Sequence, residues 1–211
     1  IASLLGLIEV ARLEKNKDNL DQLLNLQKKT LLRLDHFIRD IVDHSRNTRL
    51  KVEPDPVNFE SIVNAVIEQL QFMDNVSKIR RSIVISQSEP FHTALTRLEI
   101  ILKNLISNAI KYADLRKEDP ALEVTVTSNA NVAVICVRDN GEGIPTDARP
   151  RIFEMFYRAS ANGSGSGLGL YIVKEAVQKI GGTITVHSEY GKGTEFVVTI
   201  PNLTQTGSPP A

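Results

Sequence analysis

The acid-glycine turn, residues 139–145, joins a carboxylate and two glycines directly after an apolar run. Residues 132–137 are all apolar and predict a buried strand, so Asp139 stands where that strand ends. A carboxylate fixed there can accept a hydrogen bond from an N–H group of a ligand. Gly141 and Gly143 would let the ligand approach the backbone closely, because glycine has no Cβ. An ordinary turn at the strand exit is the alternative interpretation.

A second group of polar residues lies along one side of a helix predicted from about residue 94 to 113. Asn104 and Asn108 are four positions apart, and Lys111 and Tyr112 follow three and four positions after Asn108. Asparagine oxygens suit Mg²⁺, which usually adds phosphate oxygens and waters. A lysine ammonium is a partner for phosphate, and a tyrosine ring could lie against a base. The alternative is a solvated helix face.

The glycine loop, residues 163–169, has a glycine at every second position and precedes a helix predicted from about residue 168 to 180. Such a loop presents backbone N–H groups and the positive end of the helix dipole to phosphate. No Gly-Lys-Ser/Thr follows, which excludes a Walker loop, and Leu170 stands where a dinucleotide fingerprint requires glycine. A disordered linker is the alternative.

Two further segments have weaker signals. Residues 151–158, Arg-Ile-Phe-Glu-Met-Phe-Tyr-Arg, place aromatic rings and cations beside the glycine loop. They predict a flexible lid with an aromatic hinge, or else a short surface helix with a local apolar contact. Residues 191–194, Gly-Lys-Gly-Thr, predict a tight hairpin.

The composition narrows the class of protein. The 211 residues are 42% hydrophobic and 24% charged, as in ordinary globular proteins, and the formal net charge is zero. This balance gives no basic footprint for nucleic acid or for a membrane surface. Cys136 is the single cysteine, which excludes an intrachain disulfide and a cysteine zinc site. No apolar run has the length of a transmembrane helix, and these 211 residues contain no signal-peptide pattern.

Residues 1–50 predict two helices interrupted by the polar residues 14–18. Neither helix can bury its apolar stripe alone, so we expect an all-α helical hairpin that forms a dimeric four-helix bundle. A hairpin packed on its own domain is the alternative. Pro54 and Pro56 then mark a domain boundary. The chain starts at Ile1 within a helical pattern, from which we expect a fragment of a longer parent.

Residues 51–201 predict a second domain of the α+β class, a two-layer sandwich with helices on a mixed, mostly antiparallel sheet. Asn58 is a candidate N-cap for the first of its helices. Strands are predicted near 82–86, 122–128, 131–138, 183–188 and 194–200. Residues 202–211 predict a flexible tail.

The order of these motifs resembles one family. Asn-x-x-x-Asn-Ala-x-Lys-Tyr, Asp-x-Gly-x-Gly-Ile, Ile-Phe-Glu-x-Phe-Tyr-Arg, Gly-x-Gly-Leu-Gly-Leu and Gly-x-Gly-Thr follow one another over residues 104–194. They resemble the N, G1, F, G2 and G3 boxes of bacterial sensor histidine kinases, and residues 1–50 resemble that family's dimerisation hairpin. The resemblance implies a Bergerat-type ATPase domain of the gyrase, chaperone, histidine kinase and MutL superfamily.

The resemblance implies a role for each matching residue. Asp139 would receive the adenine amino group, and Tyr112 and Ile144 would border the base. Gly141 and Gly143 would admit the nucleotide, and Thr194 would support the pocket from the sheet. Asn108 would bind Mg²⁺. The residues implied near the phosphates, either directly or as the end of the lid, are Asn104, Lys111, Arg158, Gly165, Gly167, Leu168, Gly169 and Leu170. Phe153 and Phe156 would dock the lid.

The histidines depart from the family pattern. In the family the phosphoacceptor histidine lies on the first hairpin helix, and by this alignment it falls about six residues before Ile1. The histidines present are His36, His44, His92 and His187, none at that position. We therefore expect no catalytic residue in this chain and no autophosphorylation by it.

The resemblance also implies partners and alternatives. Expected are ATP and Mg²⁺ as cofactors, a homodimer through residues 1–50, and a response-regulator receiver domain as phosphoryl acceptor. The chain would be the cytoplasmic portion of an inner-membrane sensor. A hydrolytic superfamily member would carry glutamate where this chain has Asn104, and would lack the hairpin. A non-catalytic scaffold is the remaining alternative, and the intact Asp139 and Asn108 disfavour it.

Overall fold

The N-terminal part of the chain consists of two helices. The computed structural model describes residues 2–14, 16–49, 52–159 and 166–203. The helices are α1 (Ala2–Leu13) and α2 (Lys17–Arg49). Asn16 caps α2, because its Oδ1 accepts a hydrogen bond from the backbone N–H of Asp18 at 2.9 Å. The prediction of two helices joined by a short turn is confirmed.

The second helix contacts other helices and still exposes apolar side chains. It lies against α1 and also against a helix of the following domain, α5 (Gly169–Lys179). Leu24, Leu31 and Ile38 nevertheless remain 49, 55 and 53% exposed. None of the helices in the described ranges combines the length and hydropathy that crossing a bilayer requires.

In the part of the chain that the structure describes, seven strands come after the two N-terminal helices and form two sheets. In chain order they are β1 (Asp55–Val57), β2 (Arg80–Gln87), β3 (Phe91–Thr93), β4 (Ala121–Ser128), β5 (Val132–Asp139), β6 (Thr183–Glu189) and β7 (Gly193–Pro201). The main sheet has the order β2-β4-β5-β7-β6, with β2 and β4 parallel and the other pairs antiparallel. Its register places Thr194 directly opposite Asp139. The predicted mixed sheet is confirmed.

One face of the main sheet is covered by helices α3 (Phe59–Leu70), α4 (Leu95–Lys111) and α5. Alternate residues of the central strands point at them, among them Val124, Ile135 and Val198, each with no exposed surface. Each fully buried aliphatic side chain contributes about 1.5–3 kcal/mol. The buried stripe of α4 therefore fixes which of its sides faces away from the core. Asn58 caps α3 as predicted, accepting from the Ser61 N–H at 2.9 Å.

A small antiparallel ribbon of β1 and β3 was missed by the sequence analysis, which interpreted Pro54 and Pro56 as a domain boundary and predicted no strand near residues 91–93. Pro56 is tolerated in β1 because that strand pairs on one side only. The ribbon closes the core at the start of α3, where the Phe59 and Phe91 rings lie 5.2 Å apart between centroids.

Two residues of the expected tail, Asn202 and Leu203, make hydrogen bonds to the rest of the chain. Asn202 donates from Nδ2 to the carbonyls of Pro90 and Ala130, at 3.0 and 2.9 Å. Its Oδ1 accepts from the backbone N–H of His92, and Leu203 donates to the carbonyl of the same residue. Asn202 and Leu203 thus belong to the domain, and the rest of the expected tail lies outside the described residues.

Candidate functional site

Asp139 lies at the end of β5, partly buried between two turns. Its Oδ1 accepts from the backbone N–H of Gly141 at 2.8 Å and from that of Thr194 at 3.3 Å. Burial disfavours the charged form and raises the pKa of Asp139 to about 6, although both N–H groups and the Lys117 ammonium act in the opposite direction. The site therefore holds a carboxyl group whose charge depends on pH near neutrality.

Gly141 and Gly143 of the acid-glycine turn each pack directly against main chain of another segment. A Cβ on Gly141 would lie 2.2 Å from the carbonyl oxygen of Tyr112. Gly143 has a φ of +68°, and its Cβ would lie 2.1 Å from the carbonyl oxygen of Glu189. Both glycines therefore let the protein's own backbone approach, and the close approach of a ligand stays a prediction.

The acid-glycine turn is joined to the end of α4. The backbone N–H of Glu142 donates to the carbonyl of Tyr112 at 3.0 Å. The two polar groups that the sequence predicted separately are thus brought together by the main chain. Asn104, Asn108 and Lys111 are all partly exposed, on the side of α4 away from the core. The Lys111 ammonium lies 4.7 Å from the centroid of the Tyr112 ring.

Ser188 was missed by the sequence analysis and connects three parts of the site. Its hydroxyl accepts from the backbone N–H of Ile144 at 2.8 Å, donates to the carbonyl of Gly193 at 2.9 Å, and lies 2.9 Å from the hydroxyl of Thr194. Thr194 itself is buried. The sequence of a predicted strand does not indicate which groups a serine in it will bond to. These contacts of Ser188 become visible only once β6 is paired with β7.

Two residues that sequence reasoning missed tie the loop between α4 and β4 to the site: Asn140 of the acid-glycine turn, and Lys117 of the loop itself. Asn140 accepts from the Ala121 N–H and donates to the Asp119 carbonyl, both at 2.8 Å. The Lys117 ammonium donates to main-chain carbonyls of the acid-glycine turn and of the β6–β7 turn. Two independent sets of hydrogen bonds, those of the Asn140 side chain and those of Lys117, therefore hold this loop against the acid-glycine turn.

The described end of the glycine loop packs on α4. A Cβ on Gly169 would lie 2.8 Å from the Oδ1 of Asn104, whose Nδ2 donates to the carbonyl of Ile100 at 2.8 Å. Leu168 is buried against Ile100, and Leu170 packs on the main core. The side chains of Leu168 and Leu170 therefore belong to the apolar interior, which leaves their backbone for the expected phosphate contact. Gly163 and Gly165 lie outside the described residues.

The two phenylalanines expected to dock the lid have different environments. Phe153 packs edge-on against Phe196, with ring centroids 6.5 Å apart. Phe156 is 55% exposed and has a φ of +65°, and its N–H donates to the carbonyl of Gly167 at 3.1 Å. Gly167 also has a positive φ, +78°. Phe153 therefore fixes this segment to the core, whereas Phe156 meets the glycine loop through its backbone. Arg158 is exposed.

The donor set limits how a metal could be held. Among the described residues, no group of three or more His, Cys, Asp or Glu side chains could hold a metal ion. A divalent cation at this site would therefore depend on an amide such as that of Asn108, together with ligand oxygens and water. That donor set fits Mg²⁺, which retains waters and shares phosphate oxygens.

Known proteins share both the fold and the sequence of this chain. AdeS of Acinetobacter baumannii, a histidine kinase, superposes with a TM-score of 0.70 at 22% identity, over 96% of this chain and 95% of AdeS. Full-length ShkA in complex with AMPPNP has a TM-score of 0.67 at 27% identity, over 95% of this chain and 43% of ShkA. The likeness to AdeS establishes the fold, an α+β sandwich in which helices pack on a mixed five-stranded sheet.

Sequence relatives identify the family. The methanogenesis regulatory histidine kinase FilI of Methanothrix harundinacea is 32% identical over 197 residues, which are 92% of this chain and 21% of FilI. The chain thus spans about a fifth of that relative. The family described as "Histidine kinase-, DNA gyrase B-, and HSP90-like ATPase" matches residues 93–204, more than half of the chain. The chain belongs to this ATPase family, and its relatives over most of its length are sensor histidine kinases.

Proposed function

We propose that this chain is the ATP-Mg²⁺-binding kinase core of a two-component sensor histidine kinase. The observation that carries the proposal is the convergence of a partly buried acid at a strand end with the polar side of α4. The Glu142–Tyr112 hydrogen bond of 3.0 Å joins the two. The ShkA complex with AMPPNP supports an adenine nucleotide as the ligand.

The residues divide into a base end and a phosphate end. At the base end Asp139 accepts a hydrogen bond from the adenine amino group, with Tyr112 and Ile144 beside the ring. The residues proposed to contact the phosphates are Asn104, Lys111, Arg158, Gly165, Gly167 and the backbone of residues 168–170. Gly141 and Gly143 would admit the nucleotide, and Thr194 would support the pocket from the sheet.

Asn108 is the proposed protein ligand of Mg²⁺. The ion would neutralise charge on the phosphate oxygens when bound. The protein's own contribution is to position the amide oxygen of Asn108. Asn108 lies on α4, and the buried apolar residues of α4 fix the orientation of that helix.

In the intact parent, a histidine nitrogen would attack the γ-phosphorus of ATP. The new N–P bond replaces the bond from the γ-phosphorus to the β–γ bridging oxygen, and ADP leaves. The phosphoryl group would then pass to an aspartate of a response-regulator receiver domain. In such a reaction the protein mainly positions the donor and stabilises charge.

The dimer is proposed through residues 1–50. Leu24, Leu31 and Ile38 of α2 are about half exposed within one chain, and a second hairpin would cover them. We further propose that the 211 residues are a cytoplasmic portion, 1–50 and 51–201 being separate domains, and that the parent is an inner-membrane sensor.

The 211-residue chain is also proposed not to phosphorylate itself. His36 and His44 lie on α2, whereas the family's acceptor lies on the first hairpin helix. His92 lies in β3 and His187 in β6, outside the hairpin. Incubation with γ-labelled ATP should therefore leave no stable label on the chain, and accumulation of alkali-stable, acid-labile label would overturn this point.

Isothermal titration with a non-hydrolysable ATP analogue tests the nucleotide site. We expect binding of one nucleotide per chain in the presence of Mg²⁺, and weaker binding when the metal is chelated. No binding with Mg²⁺ present would instead favour a scaffold with a degenerate pocket. Steady conversion of ATP to ADP by the isolated chain would favour a hydrolytic member of the superfamily.

A further inference from the structure

Lys117 lies in the loop between α4 and β4, outside the sequence motifs, and makes three hydrogen bonds to main-chain carbonyls. Its Nζ donates to the carbonyls of Asn140, of Gly141 at 3.3 Å and of Gly191 at 2.8 Å. Asn140 and Gly141 directly follow Asp139, and Gly191 lies in the β6–β7 turn. A lysine ammonium has three N–H donors, so each has a partner here.

We propose that Lys117 is a positioning residue of the nucleotide site, an ammonium ion tethered between two turns that fixes the backbone around Asp139. This inference rests on the proposed function, since the geometry it fixes is that of the base end. Three carbonyl dipoles directed at one point repel one another unless a cation lies between them. Lys117 supplies that cation from the loop between α4 and β4.

The loop does not need Lys117 in order to stay in place. The Asn140 side chain already bonds to Asp119 and Ala121 on either side of Pro120. Loss of the ammonium should therefore leave the loop attached and the chain folded. We expect a change in the position of the acid-glycine turn relative to the β6–β7 turn, and therefore in the position of the Asp139 carboxylate.

A chain of contacts joins Lys117 to the acid. Gly141 accepts from Lys117 through its carbonyl and donates through its N–H to the Oδ1 of Asp139 at 2.8 Å. The polar neighbour of that oxygen from β7 is the uncharged N–H of Thr194. The positive charge of Lys117 also lowers the pKa of Asp139, against the effect of burial. Lys117 thus acts on both the place and the charge of the carboxylate.

The main test compares Lys117→Met with the unsubstituted chain by titration of ATP-Mg²⁺ at several pH values. We expect the substitution to weaken binding by about tenfold or more, because carbonyls lose a charge-assisted partner. The loss of affinity on acidification should also begin at a higher pH than in the unsubstituted chain. The melting temperature of the apo protein serves as the measure of folding.

Lys192→Met is the matched control. Lys192 lies in the same β6–β7 turn, is exposed, and pairs with Glu189 at 2.7 Å instead of with carbonyls. Removing its charge should change the affinity by less than about twofold, as for other exposed pairs, and should leave the pH dependence unmoved.

Two further variants separate position, charge and folding. Lys117→Arg keeps the charge in a planar group that cannot direct three donors at one point. It should weaken binding while keeping the pH dependence of the unsubstituted chain. Lys117→Ala should regain part of its affinity in propylammonium chloride, and none in tetramethylammonium chloride at equal ionic strength, because only the former ion has N–H donors.

The outcomes are distinct. Unchanged affinity and pH dependence in Lys117→Met would overturn the proposal. The proposal would also be overturned if the weaker binding of Lys117→Met came with a large drop in melting temperature, while its pH dependence stayed unchanged and propylammonium restored no affinity to Lys117→Ala. If the unsubstituted chain binds no ATP-Mg²⁺, the proposed function fails and this inference falls with it. That result is seen before any Lys117 variant is measured.

Discussion

The Oδ1 of Asn104 lies 2.8 Å from the point that a Cβ on Gly169 would occupy. Because the Nδ2 of Asn104 donates to the Ile100 carbonyl at 2.8 Å, the amide is held in that orientation. The first residue of α5 therefore has no room for a side chain next to α4. The asparagine motif and the end of the glycine loop meet at this contact.

Gly169→Ala should destabilise the protein by about 1–3 kcal/mol, although alanine is the better helix former. The new methyl group would displace the Asn104 amide. Adding Asn104→Ala should recover part of the loss, which would give a coupling free energy of about 1 kcal/mol in a double-mutant cycle. Urea unfolding of the four proteins measures it.

Gly6→Ala is the matched control for this cycle. Gly6 lies within α1 and has no atom within 4 Å of its Cβ position. Alanine there should be neutral or stabilising by up to about 1 kcal/mol. Strictly additive effects of Asn104→Ala and Gly169→Ala would contradict the contact.

Asp139→Asn should separate stability from nucleotide binding. The asparagine Oδ1 can still accept from Gly141 and Thr194, whereas the buried charge is gone. At pH 7 the apo protein should gain about 1–3 kcal/mol, the free energy that corresponds to a pKa near 6 against about 3.8. The variant should bind no ATP-Mg²⁺ by calorimetry. Retained binding would refute the adenine role of Asp139.

The stability gain of Asp139→Asn should depend on pH in a defined direction. Since the pKa of Asp139 is raised by folding, to about 6, the native state binds more protons than the unfolded chain at mildly acid pH. The penalty of the ionised carboxylate therefore appears as the pH rises through the interval from about 4 to 6. The gain should be full at pH 7 and vanish near pH 4, as unfolding curves at each pH would show. A gain that persists unchanged at pH 4 would exclude this cause.

Nucleotide affinity should fall on acidification. The ionised carboxylate of Asp139 is the better acceptor for an amino group, and it is lost as the pH falls through about 6. Affinity should therefore be nearly constant above pH 7 and decline by up to about tenfold for each pH unit well below 6. Adenosine serves as a control ligand, because it carries no phosphate that titrates in this range. An affinity for adenosine independent of pH would contradict the prediction.

Gly143→Ala should be among the most damaging substitutions in the turn. Its φ is +68°, and a Cβ would lie 2.1 Å from the carbonyl of Glu189. We expect a loss of about 3 kcal/mol or more in the free energy of unfolding, the sum of strain and backbone displacement. Gly191→Ala is the control, since Gly191 has a φ of +82° with nothing within 4 Å. It should cost only about 1–2 kcal/mol, and equal losses in the two variants would contradict the steric argument.

Local patterns predicted most of the elements. The apolar run before Asp139, the spacing of apolar residues in α4 and the Asn58 cap each depend on neighbours within a few positions. The predicted strands and helices of the second domain were therefore confirmed to within a few residues. The ribbon of β1 and β3 was missed, because three-residue strands joined across more than thirty residues leave no periodic signal.

By itself the sequence determined which residue types stand at the site: an acid after a strand, two asparagines four positions apart on a helix, and glycines at fixed spacings. Tertiary structure alone decided what they meet. The hydroxyl of Ser188, the ammonium of Lys117 and the carbonyls that exclude a Cβ at Gly141 and Gly143 are contacts across the sheet and its turns. Such contacts, like the burial that raises the pKa of Asp139, depend on strand order and register. Order and register are set by the packing of the whole core, to which no single motif gives access.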